Sequence, residues 1–368
     1  MIYLDYAANT PPEEEVLDEF IKITKRCIAN PNSTHKEGKK ARKIIYETSN
    51  NLAEYFKSEK KGIIYTSGSS ESNNLVIKGL AEKTKRKKII ISATEHSSIV
   101  APCNYLANKG YDITVIPLDK SGMVDLKVLK KELDDETFLV SINAVDSELG
   151  TIQPIEKIGK LLKKYPDISF HTDATQAIGK IQIDYSDVDF ITFAPHKFFG
   201  LNGFGVLVNR NNKKLIPIIH GGKSTTIYRS GTPVTANVAA LNKAFNLAIE
   251  KQKEREKQIK KLNKKLRKKF STMESIHINS PKNSIPNTLN ISTTDKKAIE
   301  IIKRLEEKDI YVSSTTACAL ENAPSKSVYA ITKSEKLSRN TIRISMSHKT
   351  TEEEIDRFLE IITELLKW

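Results

Sequence analysis

Phe170-His171-Thr172-Asp173-Ala174-Thr175-Gln176 begins in an apolar run and breaks off into polar, ionisable side chains, and Ala194-Pro195-His196-Lys197 later repeats the pattern. Each segment reads as a short buried strand whose carboxyl end carries chemistry. Working outward, β-branched runs recur at 88–92, 113–117, 138–143, 168–171, 190–193 and 205–208, with helical patterns between them from about 41 to 245. Strands that alternate with helices predict a mostly parallel sheet covered on both faces. Such sheets bind ligands at the carboxyl ends of their strands, where both Asp173 and Lys197 fall.

A chain of 368 residues exceeds one hydrophobic core, so a large and a small domain are expected. No long apolar run suggests a membrane span, and the opening Met1-Ile2-Tyr3-Leu4-Asp5-Tyr6 lacks the basic-then-apolar pattern of a secretory leader, which points to the cytoplasm. Cys27, Cys103 and Cys318 are too few and too scattered for a disulfide framework or a zinc site, and no metal site is expected. The net charge of +14, from 59 Lys+Arg against 45 Asp+Glu, is spread along the chain with few interleaved aromatics. That distribution describes lysine-rich solvent faces rather than a nucleic-acid groove. From 241 to 270 runs one long helical pattern, amphipathic at both ends and polar in the middle, which reads as a bridge between two cores. Strand candidates at 289–292, 310–313 and 341–346 and a terminal helix from Thr351 follow it.

A lysine and a carboxylate at neighbouring strand ends are what pyridoxal phosphate (PLP) chemistry needs. The lysine forms a Schiff base, and the acid keeps the pyridine nitrogen protonated so that the ring draws electrons. Tyr65-Thr66-Ser67-Gly68-Ser69-Ser70-Glu71 is a strand, a small-residue turn and a helix start, whose free amides and hydroxyls suit a phosphate. His96, beyond the run 88–92, is placed to stack on a flat ring or to shuttle protons. Arg343 is a charge inside an apolar strand and needs a carboxylate or phosphate partner. Cys318 has small polar flanks that suggest an accessible thiol, whereas Cys27 and Cys103 fall in helical apolar patterns and read as inert core residues.

Taken in order, these pieces resemble the cysteine desulfurases, class V of the fold-type I PLP enzymes. The opening at 2–8, Asn30-Pro31-Asn32-Ser33-Thr34-His35, the segments 66–74, Glu95-His96, 141–150, 171–176, His196-Lys197, Arg229-Ser230-Gly231-Thr232, 313–318 and 342–345 carry the likeness across nearly the whole chain. The resemblance implies an α/β fold. Residues 15–250 would form the large PLP-binding domain around a mostly parallel seven-stranded sheet. Residues 1–14 and 251–368 would form a smaller α+β domain carrying the cysteine loop and Arg343. It implies that Lys197 holds PLP, Asp173 pairs with the ring nitrogen, His96 stacks on the ring, and Gln176 and Ser147 lie near the ring hydroxyl. Ser69, Ser70 and His196 would bind the phosphate, joined by Thr232 from the second subunit of a homodimer. Arg343 would hold the substrate carboxylate, with Asn30 nearby. Cys318 would take sulfur from L-cysteine as a persulfide, leaving L-alanine, for delivery to an acceptor such as an iron–sulfur scaffold or a tRNA-thiolation enzyme.

Three departures stand out. The family's paired asparagines are here Asp146-Ser147, a serine two residues before the histidine is here Ala194, and a glycine-rich turn is replaced by 221–228, where Lys223, Ser224 or Thr225 could restore a phosphate contact. One lost hydrogen bond is worth about 1 kcal/mol, or about 1.5–3 kcal/mol to a charged group, which weakens cofactor retention without abolishing it. The alternatives are a PLP enzyme of the same family acting on another amino acid, such as selenocysteine, and a non-catalytic scaffold or RNA-binding paralogue. Intact Lys197, Asp173, His96 and Cys318 count against the second.

Overall fold

The computed structural model describes residues 1–315 and 323–367. After β1 (Ile2–Tyr3), the main sheet is built from β2 (Ile63–Thr66), β3 (Lys88–Ser92), β4 (Asp112–Ile116), β5 (Thr137–Ser141), β6 (Ser169–Asp173), β7 (Phe190–Phe193) and β8 (Gly205–Asn209). Their spatial order is β2-β8-β7-β6-β5-β3-β4; β8 runs antiparallel to both neighbours and the other pairings are parallel. The covering helices are α1 (Glu14–Arg26), α2 (Lys36–Phe56), α3 (Ser69–Ala81), α4 (Ser97–Ala107), α5 (Leu126–Glu132), α6 (Ile155–Leu162) and α7 (Thr235–Glu250).

Period-two alternation sorts the strand side chains onto two faces. Ile89, Ile91, Leu139, Phe190 and Leu207 face α3 and α4 in one apolar cluster, while Ile90, Val140, Phe170, Ile191 and Phe193 face α2, α6 and α7 in another. Burying each such side chain contributes about 1.5–3 kcal/mol, which is why these strands are apolar on both faces. At the carboxyl ends the first face turns polar: Ser141 pairs with His171 across β5 and β6, and Asp173 with Thr192 across β6 and β7. Those four residues lie under α3.

A second core gathers Leu4 with α8 (Gln252–Phe270), β9 (Ile276–Ile278), β10 (Thr288–Thr293), α9 (Ala298–Glu306), β11 (Ile310–Tyr311), β12 (Thr341–Ser345) and α12 (Glu352–Lys367). Between β11 and β12 lie the short α10 (Lys326–Thr332) and α11 (Glu335–Arg339). Sheet order here is β12-β10-β9, and β1 pairs in parallel with β11. Ile285 belongs to the large core although it lies beyond residue 250, because its N–H donates to the Gly150 carbonyl and Ser284 bridges Thr151.

The single bridging helix expected over 241–270 is two helices instead. Lys251 (φ −90°, ψ 2°) leaves helical geometry between α7 and α8. The polar centre is not solvated all round either. Gln252 is buried, and Arg255 donates to Glu13 at 2.7 Å with both side chains 12% exposed. Packing at the junction of the two cores overrides the helical pattern there. Among the described residues, no helix is long and apolar enough to cross a membrane.

Gly205 opens β8 directly against the turn that precedes α3. A Cβ there would sit 2.3 Å from the Gly68 carbonyl carbon, a backbone clash that no rotamer relieves. Gly205→Ala is therefore expected to cost about 2 kcal/mol or more and to displace Ser69 and Ser70. Urea unfolding of the variant measures the first effect, and loss of cofactor on dialysis the second.

Candidate active site

A cavity of about 200 Å³ opens at the carboxyl ends of β5, β6 and β7, and Lys197, Asp173, His96, Ser69, Ser70 and Arg343 all line it. It gathers side chains from both cores.

Lys197 sits in the short 3-10 turn Pro195–Lys197 after β7. Its Nζ donates to the Ala7 carbonyl at 3.0 Å and to the Ala8 carbonyl. The N-terminal segment is pinned to this turn further along: Thr10 donates to the His196 carbonyl through both its N–H (3.0 Å) and its hydroxyl (2.9 Å). Thr10 Oγ1 also accepts the N–H of Phe199, which is held in the left-handed region at φ +67°. Gln176 donates to the same Ala7 carbonyl through Nε2 (2.9 Å) and accepts from Lys180 Nζ on Oε1. Burial, with Lys197 nearby, pushes Lys180 down to about 7.

Asp173 accepts one hydrogen bond on each oxygen, from Thr175 N–H at 2.9 Å and Asn73 Nδ2 at 2.8 Å. His96 caps the start of α4, its Nδ1 accepting the Ser98 N–H at 3.1 Å, and burial holds it below its usual range. His196 is likewise lowered by burial, to about 4, and its Nδ1 is buried without a hydrogen-bond partner among the described residues.

Arg343 is 1% exposed on β12 and reaches across to the large core. Nη2 pairs with Asp5 Oδ1 at 2.8 Å and Nη1 donates to the Ser147 carbonyl at 3.1 Å, while Nε is buried without a partner among the described residues. A fork held on two sides with donor capacity left over is suited to a planar carboxylate. Asp146 is turned away from the cavity. Its Oδ1 accepts the N–H groups of Glu148 and Leu149, and its Oδ2 accepts the Ser327 hydroxyl. Glu148 accepts from Ser325, and burial together with Asp146 pushes it up to about 7.

Behind His96, burial pushes Glu95 up to about 8; Oε1 accepts from Ser92 and from Asn143 N–H, and Oε2 has no partner among the described residues. A carboxyl raised from 4.5 binds more protons folded than unfolded, so its contribution is whole below that value and is lost as pH rises through about 8. Glu95→Gln stays uncharged, so its melting temperature should fall by several degrees less than the wild type's between about pH 6 and 9. Scanning calorimetry at the two pH values checks this.

Not every expected site residue reaches the cavity. Asn30 is exposed in the turn after α1, where its Oδ1 accepts the Asn32 N–H. Thr232 is exposed in a separate groove of about 130 Å³ with Thr225 and Arg229, and Arg229 ties that loop to Glu71 on α3 at 2.9 Å. Ser224 bonds Asn32, and Lys223 is exposed. Cys318 lies outside the described residues. Cys103 is buried and pushed up to about 12 by burial, but Cys27 caps α1 and is only half-buried, so it is not a core residue. Sequence reasoning passed over Asn73, Asp5 and Lys180. Asn73 had a signal: it stands three, four and seven residues before the buried Val76, Ile77 and Leu80, a polar residue in the core stripe of α3.

A mostly parallel sheet with a lysine and a carboxylate at adjacent strand ends defines the fold-type I architecture of PLP-dependent enzymes. The family description Aminotransferase class-V matches residues 2–358. The cysteine desulfurase IscS of Dictyoglomus turgidum is 36% identical over 373 aligned residues, covering 100% of this chain and 94% of that protein. A solved NifS-like protein superposes with a TM-score of 0.93 at 33% identity, covering 100% of this chain and 99% of the other. SspA in complex with cysteine superposes at 0.83 and 33% identity, covering 95% and 100%. The chain belongs to the class-V aminotransferase family, and within it to the cysteine desulfurases, which depend on PLP.

Proposed function

We infer that this protein is a PLP-dependent cysteine desulfurase, converting L-cysteine to L-alanine and carrying the sulfur on Cys318. The observation that carries the reading is the convergence of Lys197, Asp173, His96 and Arg343 on one cavity beside the α3 N-terminus. The residues present fit the cofactor: an amine for its aldehyde, a carboxylate for its ring nitrogen, an imidazole for its ring face, and hydroxyls with free amides for its phosphate. His196 Nδ1, buried and unpartnered, is a further candidate for the phosphate. When bound, PLP supplies the electron sink that loosens the substrate's Cα proton and C–S bond.

The chain's own groups do the rest. Arg343, which lines the cavity, takes the substrate carboxylate while Asp5 and the Ser147 carbonyl fix the guanidinium. Asp173, with a donor on each oxygen, is held in position. Lys197, once released from attachment, moves protons at Nζ, and the Ala7 and Ala8 carbonyls orient it. The thiol of Cys318 gains the sulfur: the substrate C–S bond breaks, an S–S bond forms, and the hydrogen lost from the thiol appears in alanine. Thr232, exposed and off its own chain's cavity, supports a homodimer in which it serves the neighbouring copy. The final acceptor is a sulfur-carrying protein of iron–sulfur or tRNA-thiolation assembly. The two apolar cores support a division into residues 15–250 and 1–14 with 251–368.

The test is product analysis. Protein loaded with PLP and given L-cysteine should yield alanine and, after trapping and digestion, one extra sulfur on the peptide containing Cys318. Alanine formed without that sulfur overturns the desulfurase assignment.

A further inference from the structure

Asn73 is fully buried, and every atom of its amide that can bond does so with a side chain. Thr192 Oγ1 lies 2.6 Å from Oδ1, while Nδ2 lies 2.8 Å from both Asp173 Oδ2 and Ser98 Oγ. Ser98 Oγ is in turn 2.8 Å from His96 Nδ1. On the other side, Thr192 Oγ1 is 3.2 Å from His171 Nε2, and His171 Nδ1 is 2.8 Å from Ser141 Oγ.

We propose that Asn73 is a positioning residue shared by the two groups that flank the cofactor ring: its amide nitrogen fixes the Asp173 carboxylate directly and, through Ser98, holds His96 with its proton on Nε2. The proposal rests on the PLP reading of the cavity.

The direction of each bond follows from its neighbours. A carboxylate oxygen accepts, so the amide end facing Asp173 is Nδ2 and the end facing Thr192 is Oδ1. The Thr192 hydroxyl therefore donates to Asn73, which leaves it to accept from His171 Nε2–H, and His171 Nδ1 accepts from Ser141. At the other end Ser98 Oγ accepts from Asn73 and turns its hydrogen to His96 Nδ1. The Ser98 backbone N–H points at the same nitrogen at 3.1 Å, so Nδ1 holds the lone pair and Nε2 the proton. Burial keeps both imidazoles below their usual range, so each ring is neutral and carries one proton near pH 7. A ring in this tautomer gives a proton from Nε2 and takes none there.

The experiment is ¹⁵N-histidine NMR on cofactor-free protein, with the seven histidines assigned by substitution. His96 and His171 are both expected with the proton on Nε2. Ser98→Ala should disturb the His96 signals. Asn73→Ala should disturb His96 and also weaken PLP retention about tenfold, the scale of one lost hydrogen bond to a charged group. Should Asn73→Ala fail to fold, Thr192→Val keeps the volume and removes the hydroxyl that orients the amide, and should move both readouts in the same direction. A wild-type His96 protonated on Nδ1, or neither Asn73→Ala nor Thr192→Val altering retention, overturns the proposal. Failure to desulfurate L-cysteine would overturn the functional reading instead, and the tautomers would stand.

Discussion

Lys197→Ala protein mixed with PLP shows no lysine-dependent absorbance band in the near-ultraviolet or visible, and its conversion of L-cysteine to alanine falls by on the order of 10³-fold or more. No other described amine both lines the cavity and carries a lysine Nζ. The loss is not one of folding. Removing the ammonium leaves the Ala7 and Ala8 carbonyls without that donor, an effect of about 1–3 kcal/mol. Thermal unfolding should therefore shift by only a few degrees while activity disappears. A small added amine should restore part of the turnover, since it replaces the proton carrier but not the attachment. An undiminished band in the variant would place the cofactor elsewhere.

Asp173→Ala separates binding from electronics. Lys197 is untouched, so the absorbance band persists, shifted in position, while turnover falls roughly 10²–10³-fold, the scale for removing one preorganised electrostatic contact from a buried site. The substitution also strands two donors, Asn73 Nδ2 and Thr175 N–H, so PLP is lost faster on dialysis. Asp173→Asn should do little better, because an amide nitrogen facing Asn73 Nδ2 sets donor against donor. Steady-state kinetics with the spectrum recorded on the same sample checks both variants. Full turnover in either would remove Asp173 from the reaction.

The sheet was legible because its strands, the edge strand β4 apart, are buried on both faces and their β-branched runs stand clear of the helices. Strand ends were legible where apolar runs stop at ionisable residues, as at Asp173. The break at Lys251 was not, since the helical pattern of 241–270 continues through it and the junction shows only in tertiary contacts such as the pairing of Arg255 with Glu13 and the burial of Gln252. Asp5 could be read as part of a motif but not as the partner of Arg343, because no local pattern links positions so distant. Ser147 takes part through its main-chain carbonyl, which any residue supplies. Asn30 and Thr232 stand outside their own chain's cavity, so their places cannot be read from one chain's geometry.

The pairing of Asp5 with Arg343 joins residues 338 positions apart. During synthesis Asp5 emerges long before its partner, as do Leu4, whose carbonyl accepts the Ser345 N–H, and Ile2, which pairs with Ile310. Loop closure of this length comes late and slowly. The large sheet has all its strands by Asn209, so it is free to form first on the ribosome. Ala7 and Thr10 have their partners Gln176, His196 and Phe199 by then, but Asp5 waits for Arg343. A half-made chain can thus hold the sheet but not the Asp5–Arg343 clasp over it.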